Sequence, residues 1–443
     1  MVSGEDEKLA ILGGPKAVTI EDPEQWKRPI EEEKKAVCEL IERGELSGSG
    51  FGVSKQFEEE FREYIGCEYC LTVDHGTTAL ASAYYAVGVG PGDEIITPTA
   101  GYIGSYAGAL HMGARPVFCD IDPKTLLMDP EDVERKITKR TKAINVIHMG
   151  GRVCDMDALI DIARKHGLAI VEDACHAPGA EWDGKKIGNV GDITCFSLQG
   201  INPHGKPVSG GEGGIVCTNN RELYERQLIY CHLHRAGITK ELTNPAYRLF
   251  DSEVLGLKYR AHPLALALAR ISLKSLPYRN KRMRENRAKI FSELRKLPGL
   301  EPVHDYKKAN PGGFYGGFKV IYKPEELGGL PIEKFVEAMR AEGAPIRARM
   351  VSSSGPGLEH LRNIFIKGFD LWGHNRGPLG GEWCGLPPFK GYKKGDFPVA
   401  EKMMNRVLTL PALIDPKEGF LEQYIKAFKK VTSNYESLLQ KIK

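Results

Sequence analysis

One stretch constrains the fold of this chain more than any other: AINVIHMGGRVCDMDALIDIARKHGLAIVEDACHA, running from Ala143 to Ala177. An apolar, strand-like run from Ala143 gives way to a helix opened by Asp155, in which Met156, Leu159, Ile160 and Ala163 recur at helical spacing. Gly167 closes that helix, and LAIVED follows as a second strand. Two strands joined through a helix can lie parallel in one sheet, whereas a tight turn makes them antiparallel. The same alternation precedes this unit: LTV runs into DHGTTALASAYYAV, DEIITP into TAGYIGSYAGALHMG, and PVFCDID into a turn marked by Pro and Asp. Short apolar strands alternating with small-residue helices predict an α/β fold with a mainly parallel sheet. Ligands of such sheets bind where strands end and loops begin, which directs attention to DHGTT, TPTAGY, HMGG, EDACH and SLQG.

Two charged, helix-period stretches, EEEKKAVCELIERG and KQFEEEFREYIG, precede the sheet pattern, and helical texture returns after residue 220. The basic run YRNKRMRENRAKIFSELRKL keeps apolar residues at helical spacing and reads as a solvated helix face rather than a phosphate-binding surface. FYGGFKVIY then reads as a strand and PIEKFVEAMRAEG as a helix. We therefore expect a large α/β domain over residues 1–280, including the N-terminal helical segment, and a smaller α+β domain over 281–443.

A net charge of +3, with no long Arg/Lys tract interleaved with aromatics, argues against a nucleic-acid partner. No apolar run is long enough to span a bilayer, and the opening MVSGEDEKLAILGG is acidic, unlike a secretion signal, so the expected location is the cytoplasm with no membrane partner. Most of the ten cysteines sit inside apolar runs such as VFCD, TCFS and IVCT, as buried reduced thiols do. The close pair CEYC, Cys67 and Cys70, has no second pair at ligand spacing, so it reads as two packed thiols and no metal is expected.

Chemistry concentrates in GKPVSGGEGG, where one lysine, Lys206, stands among glycines. A lysine amine becomes a nucleophile when its surroundings lower its pKa, and bare glycine backbone lets a planar molecule approach, so this is a plausible seat for a Schiff base. A glycine-rich surface hairpin would look similar. Pro207 after the lysine breaks the pattern of a nucleotide-binding phosphate loop. Asp173 ends the strand LAIVED, where a carboxylate suits a protonated ring nitrogen but also caps helices. Gly76 and Thr77 open a helix whose N–H groups suit a phosphate, and Tyr102 at the next strand end either faces a ring or simply packs.

HGTTAL, GVGPGDEIITPTAGY, GARPVFCDID, VEDACHAPGA and GKPVSGGEGGIVCTN together resemble, in order and interval, the DegT/StrS family of pyridoxal-phosphate-dependent sugar aminotransferases. The resemblance spans about residues 10–440 and weakens after 300. It implies the type I fold of pyridoxal-phosphate-dependent transferases, like that of aspartate aminotransferase, and an obligate homodimer with shared active sites. It makes Lys206, six positions before the glutamate of GEGG, the lysine bonded to pyridoxal phosphate (PLP), with pyridoxamine phosphate (PMP) as the alternate cofactor form. Asp173 becomes the partner of the pyridine nitrogen and Tyr102 the aromatic stacked on the ring. Gly76, Thr77 and Ser197 become phosphate contacts, and His176, otherwise readable as a core histidine, lies near the phenolic oxygen.

Two departures from the family pattern stand out. Ser197 and Lys206 are nine positions apart, wider than usual, which implies an insertion in QGINPHG. GLKYR replaces the more common NYR, so Lys258 would offer a cation to the partner subunit's phosphate, or is an exposed lysine at a turn. Gln199, also in the cofactor-binding set, looks more like the branch acting on inososes or making aminohydroxybenzoate than the nucleotide-sugar branch.

The implied reaction is ping-pong amino transfer from glutamate or glutamine to a keto-sugar or keto-cyclitol. Two rival readings remain. One is a PMP-dependent dehydratase of the same family, with His204 presented in place of the lysine. The other is a non-catalytic PLP-binding regulatory protein, which the insertion keeps open. Arg347 and Arg349 in PIRARM either grip a carboxylate or alternate on a solvated strand.

Overall fold

The computed structural model describes residues 8–202, 205–235, 237–249, 251, 256–348, 350 and 357–442. His204 and Arg349 lie outside the described residues. A seven-stranded sheet is built from β1 (Tyr69–Val73), β2 (Glu94–Pro98), β3 (Arg115–Cys119), β4 (Thr141–Ile147), β5 (Ala169–Asp173), β6 (Ile193–Ser197) and β7 (Gly214–Thr218). Its strand order is β1-β7-β6-β5-β4-β2-β3. β7 pairs antiparallel with both β1 and β6, and the other pairings are parallel. The ends of β1, β2, β4, β5 and β6 thus open on one side of the sheet, which is where ligand chemistry is expected.

The crossover that opened the sequence reading forms as expected. Asp155 caps the helix Met156–His166 by accepting from the Ala158 N–H at 3.2 Å, and Gly167 ends it in the left-handed conformation at φ 66°. Two further helices, α1 (Gly76–Ala86) and α2 (Gly104–His111), carry almost no charge because sheet and neighbours enclose them. A Cβ on Gly108 would lie 2.6 Å from the Ala81 Cα, so small residues let α1 and α2 touch along their backbones. That close packing brings the start of α1 at Gly76 and Thr77 next to the loop carrying Tyr102.

A 32-residue helix, α3 (Pro263–Leu294), runs from the large sheet to a four-stranded antiparallel sheet whose central strands are β8 (Phe318–Tyr322) and β9 (Val407–Leu410). The expected division at residue 280 therefore falls inside one continuous helix. Residues 10–18, expected in the large domain, pack on the small one, because Glu342 accepts from the Ala10 and Ala17 N–H groups and its carbonyl accepts from Val18, whereas the helices Ile30–Glu42 and Val53–Ile65 contribute to the core under the large sheet. One apolar core joins α1 and α2 to the small sheet, and a second lies on the opposite face of the large sheet under α3.

The basic run in α3 also differs from a plain solvated face: Arg279 and Asn280 are 3% and 1% exposed and bond to loops of the large domain. The strand expected at FYGGFKVIY begins only at Phe318, because Gly313, Gly316 and Gly317 hold positive φ and form a loop instead. Among the described residues, no helix is long and apolar enough to cross a membrane.

Candidate active site

A cavity of about 550 Å³ opens at the strand ends and is lined by Gly76, Thr77, Tyr102, Asp173, His176, Ser197, Gln199 and Lys206. Eight of the nine expected site residues are thereby brought together from five separate segments. The ninth, Lys258, is exposed beside His232 and does not line this cavity.

Asp173 is buried at the end of β5. Its Oδ2 accepts from Ser105 Oγ at 2.6 Å and its Oδ1 from the Cys175 N–H at 3.1 Å. Ser105 is in turn held by its carbonyl, which accepts from Asn145 Nδ2 at 3.2 Å and from the Tyr84 hydroxyl. The carboxylate is thus aimed by two donors, one on each oxygen. The N-terminus of α1 lacks a side-chain cap, so its first N–H groups are available to an anion. A Cβ on Gly76 would sit 2.6 Å from Ser197 Cβ, so only glycine lets this helix start approach the end of β6. Tyr102 is half exposed along the wall, and a Cβ on Gly104 would meet its ring at 2.7 Å and Thr77 Oγ1 at 2.8 Å.

Lys206 lies on the facing wall. The wide spacing from Ser197 does not displace it, because the inserted segment is pinched off: the Lys206 N–H donates to the Gln199 carbonyl at 2.8 Å, and Gly200 and Gly211 exchange two further bonds. A Cβ on Gly205 would lie 2.2 Å from the Ile201 nitrogen, so this closure requires glycine there. Helix α3 clamps both sides of the insertion. Arg279 donates to the Pro207 carbonyl at 2.7 Å and to Asn202 Oδ1 at 3.3 Å, and Asn202 Nδ2 donates to Ser272 Oγ at 2.6 Å.

Burial lowers the Lys206 amine below its ordinary value, and the nearby Cys175 and Asp173 only partly oppose this. The Nζ stands 4.1 Å from the Tyr315 ring centre, a cation–π distance. His176 packs on the same ring at 4.6 Å, and its Nδ1 accepts from the Gly150 N–H at 3.3 Å. Burial, followed by the charges of Lys206 and Lys319, pushes this imidazole well below its usual value, so it is neutral with its proton on Nε2.

Ser105, Tyr315, Arg279 and Asn280 were not anticipated. Ser105 stands three residues beyond Tyr102, and Tyr315 is an aromatic inside a glycine run, the only sequence signals that pointed to either. Arg347 lines a second cavity of about 530 Å³ that shares Tyr315 with the first.

The sequence profile of the DegT/DnrJ/EryC1/StrS aminotransferase family matches residues 28–351. This chain belongs to that family. It is 41% identical over 376 residues to the GDP-perosamine synthase of Caulobacter vibrioides, covering 85% of this chain and 89% of that one. It is 33% identical over 413 residues to the L-glutamine:2-deoxy-scyllo-inosose aminotransferase of Streptomyces lividus, with coverages of 91% and 92%. Among solved structures, an aminotransferase from Psychrobacter cryohalolentis superposes with a TM-score of 0.77 at 25% identity, covering 94% of this chain and 99% of that one. The chain is a DegT-family, pyridoxal-phosphate-dependent aminotransferase with the type I transferase fold.

The cavity fits that cofactor on its own features. An uncapped helix start pressed by glycine against Ser197 suits the phosphate, a buried braced carboxylate suits the ring nitrogen, and a desolvated amine faces them.

Proposed function

We propose that this aminotransferase moves an amino group from glutamate or glutamine to a keto-sugar or keto-cyclitol, with Lys206 as the covalent attachment point and proton carrier. The observation that carries the reading is the desolvated Lys206 amine facing the Asp173 carboxylate across one cavity. Bound PLP supplies an aldehyde carbon that carries the amino group and a ring that absorbs electrons.

The protein's own groups do the rest. Asp173, oriented by Ser105 and Cys175 N–H, holds a proton at the pyridine nitrogen. The amine of Lys206, once released, takes up and returns a proton at Nζ, and its lowered pKa keeps it able to act as a base. His176 would offer its Nε2 proton to the phenolic oxygen, the first N–H groups of α1 with Thr77 and Ser197 would hold the phosphate, and Tyr102 would pack on the ring. Gln199, exposed on the lining of the same cavity, would join the cofactor contacts.

Arg347 and Lys319 line the adjoining cavity, a setting suited to a donor carboxylate. Lys258, exposed and outside its own subunit's cavity, fits a contact with a partner subunit's phosphate in a homodimer. Ten free cysteines fit a reducing compartment, the cytoplasm. The pinched-off insertion leaves Lys206 on the cavity wall, which supports the catalytic reading over the non-catalytic one.

The deciding experiment is borohydride reduction of the holoprotein followed by peptide mass spectrometry. We expect the cofactor mass on Lys206, loss of attachment in Lys206→Ala, and turnover lowered by about a thousandfold or more. A label on another lysine, or full activity in Lys206→Ala, sinks the proposal. The donor and acceptor follow from the cofactor's colour change with glutamate and glutamine, then its reversal by scyllo-inosose or by nucleotide-linked keto-sugars.

A further inference from the structure

The N-terminal end of β1, away from the cofactor cavity, gathers three thiols. Cys70 in β1 and Cys217 in β7 stand directly opposite each other in the antiparallel register, with their sulfurs 3.1 Å apart. Cys67, in the turn before β1, places its sulfur 3.4 Å from that of Cys70, and all three sulfurs lie within 4.8 Å of one another. All three residues are buried, at 5%, 5% and 0% exposure. We propose that Cys67, Cys70 and Cys217 form a binding site for one thiophilic d10 cation, zinc or copper(I), that staples the β1–β7 edge of the sheet to the turn preceding it.

Three features separate this cluster from ordinary packed thiols. The sulfurs converge on one another, and a zinc ion bonded at about 2.3 Å needs its sulfurs roughly 3.8 Å apart, a separation reached here by shifts of a few tenths of an ångström. The turn bearing Cys67 is braced to the segment after Cys217 as supporting groups brace metal ligands. The Glu68 N–H donates to Asn219 Oδ1 at 2.9 Å, Asn219 Nδ2 to Asn189 Oδ1 at 2.6 Å, and Asn189 Nδ2 to the Gly66 carbonyl at 2.7 Å.

An entry path also exists. A cavity of about 310 Å³ reaches Cys70 and is lined by Lys55, Arg62, Arg221 and Lys240 together with four glutamates. On binding, each sulfur forms a bond to the cation as its proton leaves to water, so three protons are released and no electrons move. Three thiolates and a divalent ion leave one negative charge beside a cavity whose four basic and four acidic side chains balance. This site is independent of the amino-transfer reading.

The test uses full-length holoprotein, stripped with a chelator and kept reduced. After incubation with Zn²⁺ and gel filtration, we expect about one zinc retained per chain and a rise in Tm. Co²⁺ in its place should give thiolate charge-transfer absorption in the near-ultraviolet. Copper(I) is assayed by competition with a chromophoric chelator, which decides between the two ions. Cys217→Ala should lose the retained cation while keeping its cofactor absorbance.

Retention of neither ion by the wild type, or undiminished retention by Cys217→Ala, overturns the proposal. Should that variant fail to fold, alkylation of the wild type decides: all three thiols slowed by the cation supports the site, and equal labelling with and without it refutes it.

Discussion

The cofactor cavity has two walls built on different principles. One is made of strand ends: Asp173 and Ser197 terminate β5 and β6, and Gly76 begins the helix that follows β1. Their spacing is set by the backbone ladder of the sheet, with local help from Ser105 and the glycines. The other wall carries Lys206, His176 and Tyr315 on loops, and no ladder spaces them. Helix α3 does it instead. Arg279 holds the Pro207 carbonyl next to Lys206. Asn280 donates to the Pro178 carbonyl beyond His176 and accepts from the Gly313 N–H ahead of Tyr315. Groups that must stay fixed sit on the sheet, while the lysine that must attach and detach sits on a segment held by side chains.

After loss of Lys206 itself, the largest effect expected from breaking this arrangement lies on the strand wall. Asp173→Ala should lower kcat/KM by about 10²–10³-fold, because it removes the charge facing the ring nitrogen. Ser105→Ala keeps that carboxylate and loses one hydrogen bond, so steady-state kinetics should show about a fivefold to tenfold loss. Equal losses in the two variants would mean that Ser105 acts directly on the cofactor rather than through Asp173.

On the loop wall, Arg279→Met should cost about 2–4 kcal/mol in denaturant unfolding, since it leaves the buried Pro207 and Ser272 carbonyls without their charged donor. The same variant should reduce the fraction of chains with cofactor attached to Lys206, measured by borohydride trapping. Unchanged attachment would show that the insertion holds its shape without α3.

Two glycine substitutions sharpen the contrast. Gly76→Ala drives a methyl against Ser197 and should weaken cofactor affinity about tenfold or more in equilibrium titration, with little change in melting. Gly205→Ala drives one against the Ile201 nitrogen and should instead lower attachment at Lys206. If the two variants behave alike, the walls are not independent.

The smallest effect is on pH dependence. A depressed imidazole binds fewer protons folded than unfolded, so His176 makes apo-protein stability climb as pH rises toward the unfolded value of about 6.5, and contributes no slope above it. His176→Asn should remove up to about 1.4 kcal/mol per pH unit of that slope, measured by denaturant unfolding across pH 4–8. An unchanged slope would show that this imidazole is charged in the folded protein.

Legibility in the sequence follows the same division. Gly76, Asp173 and Ser197 were readable because each stands within three residues of the end of an apolar run, and strand ends on one side of a parallel sheet must converge. Lys206 was readable through its register with Glu212, although the insertion clouded its approach. Tyr315 and Arg279 were hidden for a physical reason: one sits in a glycine run that resembles a strand, and the other in a basic helix stretch that resembles a solvated face. Residues 10–18 misled for a similar reason, since their partner, Glu342, lies more than three hundred residues away.

By itself the sequence determined the alternation of strands and helices, the parallel crossover, and the kinds of residue that would meet at the strand ends, because periodicity and turn chemistry act over a few neighbouring residues. Only the tertiary structure decided that Arg279 clamps the lysine segment, that Ser105 aims Asp173, and that Cys217 joins Cys67 and Cys70. Those contacts join residues tens to hundreds of positions apart, and chain spacing carries no information about which distant segments the core will press together.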